Sequence, residues 1–366
     1  MSLSNALNDH SIAGLMPCIL DPTPKPRRWG GATGAFFAVA LAATGLRPAH
    51  ATELRESLDT AALLATSYRM EPDVTYLSLP GWEGRVDLYL PRRPGAALPT
   101  AVLFHGGGWV TGDKREIALD VLPYLAMGFA VVNVDYRLAA IARAPAAVED
   151  ARCALRWVVR HAPQYGFDTR RLVLVGSSAG AHLALMAALA PPSAGFDRLC
   201  PGDEPLRVAT VINFFGVVDV PELLAPPAPR DFAIGWFGDA PNRDELARRV
   251  SPLTYLGKTA PPVLTIHGDA DPVVPFTQAT RLHAALDRAG VPNRLVPIHG
   301  GHHGDFRGKD VLRANHAVRD FLVARGIVVS GKTWWESPPV SKTEPTASKT
   351  EPAASKTEPA ASKTDK

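Results

Sequence analysis

The chain reads as an α/β domain: a mostly parallel central sheet with helices on both faces and a small cap or lid. Two observations carry that expectation. Short, continuous apolar runs recur along the chain, and stretches of helical character separate them. Continuous apolar strands are what a sheet covered on both faces requires, and strand–helix alternation is the pattern of a parallel α/β sheet. The runs are TAVLFHG, FAVVNVDYR, RLVLVGSS, ATVINFFG, PVLTIHGDAD and RLVPIHGG. Ala146 to His161 and Ala179 to Ala190 are the clearest helices between them. Ahead of the runs, DVTYLSLP and GRVDLYL alternate around GWEG, so an antiparallel hairpin with its turn at GWEG is expected between Asp73 and Leu90.

The two ends differ from this middle. Arg27 and Arg28 precede the apolar stretch GGATGAFFAVALAATGL, and Ala49-His50-Ala51 follows with small residues at the cleavage spacing. That is the layout of a secretory signal over residues 1–51, too short and too interrupted by Gly and Thr to span a bilayer comfortably. Export to the periplasm or medium is therefore expected, by a general or a twin-arginine route and with no stable membrane anchor after processing; an uncleaved anchor or a mis-called start codon is the alternative reading. From Ser341 to Lys366 a seven-residue SKTEPAA-like unit repeats and offers no large apolar residue to bury, so it reads as a solvated tail. Residues 52–340 remain as the folded domain.

The chain has 366 residues, of which 46% are hydrophobic and 20% charged, and its net charge is +3, with no basic stripe. That composition is ordinary for a globular protein and argues against a nucleic-acid partner. Of the three cysteines, Cys18 falls in the signal region; Cys153 and Cys200 are expected to be two unpaired, buried thiols, with a disulfide between them the alternative in an exported protein.

Ligands of open parallel sheets sit beyond the carboxyl ends of the strands, and the chemistry-bearing residues fall there. The first end is His105-Gly106-Gly107-Gly108-Trp109. Its glycines free the backbone to aim N–H groups at a developing oxyanion, with Gly107 and Gly108 the best donors; a plain glycine turn is the alternative. His105 is expected to hold the loop. Gly176-Ser177-Ser178-Ala179-Gly180 fits G-x-S-x-G between a strand and a helix, with Ser178 at the nucleophile position and the Ala179 N–H as a further donor. The alternative is a serine-rich helix cap. HGDADPVVP supplies Asp269 and Asp271, one of them to orient a histidine and the other a turn residue. HGGHHGDF supplies His299, His302 and His303, one of them a general base. A metal site is the competing reading of the histidines, but no ligand set accompanies them at usual spacing.

On these motifs and their order the sequence resembles the α/β-hydrolase superfamily, close to hormone-sensitive-lipase-like and feruloyl-esterase-like carboxylesterases. The resemblance runs from about Pro72 to Ala324 and rests on HGGGWVTGDK, DYRL, GSSAGAHLA and HGDADPVVP. It implies an acyl-enzyme on Ser178, Asp271 as the acid and His303 as the base, with His302 standing where the family has glycine. It implies a small ester as substrate and no cofactor, and it says nothing of oligomeric state. An arylformamidase-like amide hydrolase shares H-G-G-x-W. A serine peptidase of the prolyl-oligopeptidase kind carries a large N-terminal propeller, for which the stretch from Thr52 to Pro72 leaves no room, and a non-catalytic binding module usually lacks a triad member. Asp135, Arg137 and His182 are expected to be structural, and Glu149 and Asp150 to suit a helix N-terminus. Residues 217–260 could form a lid, and Glu53 to Arg69 a helical cap.

Overall fold

The computed structural model describes residues 66–92, 95–227 and 229–328. The expected signal at 1–51, most of the expected cap helix, and the repeat tail lie outside the described residues. Eight strands form one sheet: β1 (Tyr68–Leu79), β2 (Trp82–Pro91), β3 (Leu98–Phe104), β4 (Ala130–Val134), β5 (Phe167–Ser177), β6 (Thr210–Phe214), β7 (Val263–Gly268) and β8 (Asn293–Ile298). Their order is β1-β2-β4-β3-β5-β6-β7-β8. β1 and β2 pair antiparallel, as do β2 and β4, and all later neighbours are parallel.

Each apolar run divides between the two faces because strand side chains alternate. Leu172 and Leu174 of β5 enter one core layer, and Val173 and Val175 the other. The first layer is closed by helices α2 (Ala146–Arg160) and α3 (Ala179–Leu189), the second by α1 (Leu122–Ala126) and α8 (Lys309–Val323). Helix α3 is apolar all round and buried over most of its length, as a helix between the sheet and a second helical layer must be. Between β6 and β7 the chain forms α4 (Val220–Leu224), α5 (Asp231–Phe237) and α6 (Arg243–Arg249). Helix α7 (Thr277–Ala289) then leads into β8.

Three expectations change. The hairpin turn is Pro80-Gly81, since Leu79 pairs with Trp82 and Gly84 is already in register with Leu77. Proline pre-sets the first turn position and Gly81 takes a φ of +77° at the second, so the turn closes two residues before its expected centre. Tyr68 and Arg69, assigned to a helical cap, begin β1, and the Tyr68 hydroxyl donates to the Leu125 carbonyl in α1.

The third change concerns the cysteines. Cys153 on α2 and Cys200 form a disulfide across 47 residues, with Cα atoms 5.5 Å apart. A ring of ion pairs ties the same segments together: Arg152 to Asp197 at 2.6 Å, and Arg156 to Asp197 and Glu204 at 3.3 and 2.7 Å. Closing a loop of this length restricts the unfolded chain, so Cys153→Ser is expected to cost about 2–4 kcal/mol of stability. Urea unfolding of both proteins, with and without reductant, checks this; a wild type insensitive to reductant counts against it.

Candidate active site

Strand β5 ends at Ser177, helix α3 begins at Ala179, and Ser178 lies between them at φ 54°, ψ −120°. A non-glycine residue with positive φ is strained and persists only where its surroundings hold it. Here the Ser178 N–H donates to the Phe214 carbonyl at 2.9 Å, and the His182 N–H donates to the Ser178 carbonyl at 3.1 Å. Glycine is required on both sides by close approach. A Cβ on Gly176 would stand 2.3 Å from the Gly180 carbonyl carbon, and one on Gly180 would stand 2.1 Å from the Phe104 carbonyl oxygen. The G-x-S-x-G spacing therefore lets the start of α3 press directly onto the strand ends.

The loops after β7 and β8 bring the partners. His303 Nε2 lies 2.9 Å from Ser178 Oγ, and His303 Nδ1 lies 2.7 Å from Asp271 Oδ2. Both flanking contacts fit one neutral tautomer, in which Nδ1–H donates to the carboxylate and Nε2 accepts from the hydroxyl. Asp271 also accepts from the Val273 and Val274 N–H groups at 2.8 and 3.0 Å. Burial pushes its carboxyl up, but hydrogen bonds from His267 and His303 outweigh this and hold it well below the usual carboxylate range. The second acid and the other histidines stand apart. Asp269 pairs with exposed His299 at 2.8 Å, and His302 is exposed. Thus the structure joins Ser178, His303 and Asp271 in one line and leaves Asp269 as a loop residue. Phe215 packs edge-on against the His303 ring, with centroids 4.7 Å apart.

The loop from His105 to Lys114 lies beside the elbow: a Cβ on Gly106 would stand 3.3 Å from Ser177 O. Gly107 and Gly108 take φ of +109° and +58°, open without strain only to glycine. A Cβ on Gly108 would meet Phe232 of α5 at 2.7 Å, so the 217–260 segment does lie against this loop. The Ala179 N–H is at the first turn of α3, where backbone donors have no partner within the helix. His105 holds its loop as expected, through Gly106 O at 2.7 Å and a stack on Tyr136. His182 is structural: it is fully buried between Trp109 Nε1 and Val250 O, and burial depresses it to about 4. Arg137 forks onto Asp150. Of the two acids expected at the helix start, Glu149 lies in the first turn of α2 and pairs with Arg198, whereas Asp150 lies past that turn and serves Arg137.

A cavity of about 320 Å³ lies behind the elbow, on the α1 and α8 side. It reaches Ser177, Phe215 and Gly304 but not Ser178. Two contributors escaped the sequence reading. Buried His267 lies 3.2 Å from the Asp271 carboxylate, and Lys114 anchors the glycine loop from below. In HGDADPVVP and HGGGWVTGDK both sit at run ends, where their partners on other strands are not visible.

An eight-stranded sheet with a serine elbow after its fifth strand, and an acid and a histidine after its seventh and eighth, defines the α/β-hydrolase fold. The comparisons agree. The BD-FAE profile matches residues 86–286, and the chain belongs to that family. It is 31% identical to an ethyl acetate hydrolase of Pseudomonas putida, over 72% of this chain and 85% of that enzyme. It is 30% identical to esterase LipQ of Mycobacterium tuberculosis over 68% of this chain. The chain spans 61% of the length of LipQ and 50% of that of the probable carboxylic ester hydrolase LipM of the same organism. Among solved structures, esterase Est2 of Thermogutta terrifontis superposes with a TM-score of 0.61 at 26% identity, covering 73% of this chain and 95% of that one.

Proposed function

We propose that the protein is a serine carboxylic-ester hydrolase. The observation that carries this is the unbroken hydrogen-bonded line from Asp271 through His303 to Ser178, on a strained elbow beside a glycine loop. A serine hydroxyl is a weak nucleophile until a base takes its proton. His303 Nε2 accepts that proton as Oγ attacks the ester carbonyl, and Asp271 stabilises the imidazolium. Negative charge collects on the carbonyl oxygen, where the N–H groups of Gly107, Gly108 and Ala179 receive it. Collapse breaks the carbon–alkoxide bond, and His303 returns the proton to the leaving alcohol. Water then attacks the acyl-Ser178 ester by the same route. The ethyl acetate hydrolase resemblance favours short acyl chains.

An acyl-length series of p-nitrophenyl esters, run beside N-formylkynurenine, tests this. Ester turnover with a short-chain optimum supports the reading; turnover of the formamide alone assigns the site to amide hydrolysis.

We also propose export, with cleavage after Ala51. The Cys153–Cys200 disulfide supports it, since such bonds persist in oxidising compartments. N-terminal sequencing of secreted protein should begin at Thr52.

A further inference from the structure

Lys114 is 5% exposed, although it closes a surface loop. A buried ammonium is costly unless paired, and Lys114 is paired with carboxylates from separate strands. Its Nζ lies 2.8 Å from Asp73 Oδ1 on β1, 3.2 Å from Asp87 Oδ1 on β2 and 3.7 Å from Asp135 Oδ2 just beyond β4. Its backbone is held as well: the N–H donates to Asp135 Oδ1 at 2.6 Å, and the carbonyl accepts from Asn133 Nδ2 at 2.7 Å. The carboxylates are tied to one another, because the Asp73 N–H donates to Asp87 Oδ1 at 2.9 Å. Burial alone would lower the Lys114 ammonium, but the bonds to Asp73 and Asp87 raise it, so it stays a cation.

The other end of the same loop is fixed by the next residue along the same segment. The Tyr136 hydroxyl donates to the His105 carbonyl at 2.9 Å, and its ring stacks on the His105 imidazole. Asp135 and Tyr136 are adjacent. One short segment therefore grips both ends of the loop, and Gly107 and Gly108 hang between the two grips. Between the grips the loop is tied as one turn: the Val110 and Thr111 N–H groups donate to the Gly107 carbonyl at 3.1 Å, and the Trp109 carbonyl accepts from the Ala139 N–H at 2.8 Å. The two glycine N–H directions therefore follow this turn as a unit, and the turn is seated by its pinned ends.

We infer that Lys114 is a positioning residue that fixes the direction of the Gly107 and Gly108 N–H groups toward the oxyanion. This rests on the proposed ester hydrolysis. The lysine touches no reacting atom; it acts through the backbone of its own loop.

The test uses Lys114→Met, Lys114→Arg and Asp73→Asn in the full chain. Asp73→Asn removes the closest charge, and asparagine tolerates the left-handed backbone found there (φ 56°), so this variant keeps the fold out of question. Active sites are first titrated with a fluorophosphonate, so that rates refer to competent molecules only. Two quantities are then read: kcat per titrated site on a short p-nitrophenyl ester, and the inhibition constant of a trifluoromethyl ketone. The ketone binds as a hemiketal, with Oγ bonded to carbon, the hydroxyl proton on His303 and the negative oxygen facing the glycines.

Moving donors that together act as an oxyanion hole is expected to lower kcat per site about 100-fold in Lys114→Met and weaken the ketone to a similar extent, with KM within about threefold. Lys114→Arg should recover about tenfold of that loss, and Asp73→Asn should show the same signature at about two- to fivefold. A purely structural role would reduce the number of titrated sites and leave both per-site quantities alone. If Lys114→Met and Asp73→Asn both keep kcat per site and ketone affinity within about twofold of wild type, the inference is overturned; if Lys114→Met does not fold, Asp73→Asn decides. A wild-type protein that neither hydrolyses esters nor reacts with the fluorophosphonate overturns the functional reading itself, and this inference with it.

Discussion

Ser178→Ala is expected to lower ester turnover by roughly 10⁴–10⁶-fold, while Ser177→Ala keeps most of it. The two serines are neighbours on one tight turn, but their side chains leave it in different directions. Ser178 Oγ meets the imidazole at 2.9 Å. Ser177 continues the alternation of Val173 and Val175 and lines the cavity behind the elbow. Removing Oγ from position 178 leaves the base nothing to activate, so only the slow attack of water remains. A fluorophosphonate should attach to Ser178 in the wild type and to nothing in Ser178→Ala. Peptide mapping that finds the label on Ser177 would sink the assignment.

The second large effect separates three histidines that lie within five positions. His303→Ala should cost about 10⁴-fold or more in kcat, because one imidazole both takes the serine proton and returns it to the leaving alkoxide. Asp271→Asn should fall by a similar order, since an amide can stabilise the wrong tautomer. His302→Ala and His299→Ala should stay within about tenfold of wild type, a range typical of contacts outside the proton path. His302 is exposed, and His299 is bound to Asp269, a carboxylate outside the line. Measuring kcat for the four variants on one soluble short-chain ester, beside circular dichroism, decides it. Inactive His302→Ala with active His303→Ala would shift the base by one residue.

Much of this was legible in the chain because buried parallel strands announce themselves. Each of the six apolar runs overlaps a strand, and Ala146–Arg160 departs from its expected helix by one residue. The choice of Asp271 and His303 over their neighbours is open on residue types alone and comes only from the motif resemblance; the structure sets both in hydrogen-bond sequence with Ser178. What stayed hidden depends on contacts between distant segments. Cys153 and Cys200 are too few to form a recognisable pattern, and only the packing of α2 against the 197–204 loop brings them together. Lys114 reads as a surface charge because its carboxylates come from three other stretches of chain. The hairpin turn was misplaced because GWEG holds two glycines, of which Gly81 is in the turn and Gly84 is paired within the ladder.

The margins of the sheet bear on how copies of the protein meet one another. At one side β8 carries Pro297, which has no N–H to offer a newcomer, next to a ladder already satisfied by β7. At the other, β1 breaks register between Glu71 and Val74 and again between Thr75 and Leu77, and Arg69, Glu71 and Asp73 are spaced along it. Proline, irregular pairing and charge are the features by which natural proteins blunt a strand against cross-chain pairing. Crowded molecules of this protein are thus poorly disposed to extend one sheet into the next through these two edges. Concentrated preparations should resist fibrillar, thioflavin-positive growth by pairing at these two strand edges of the folded state.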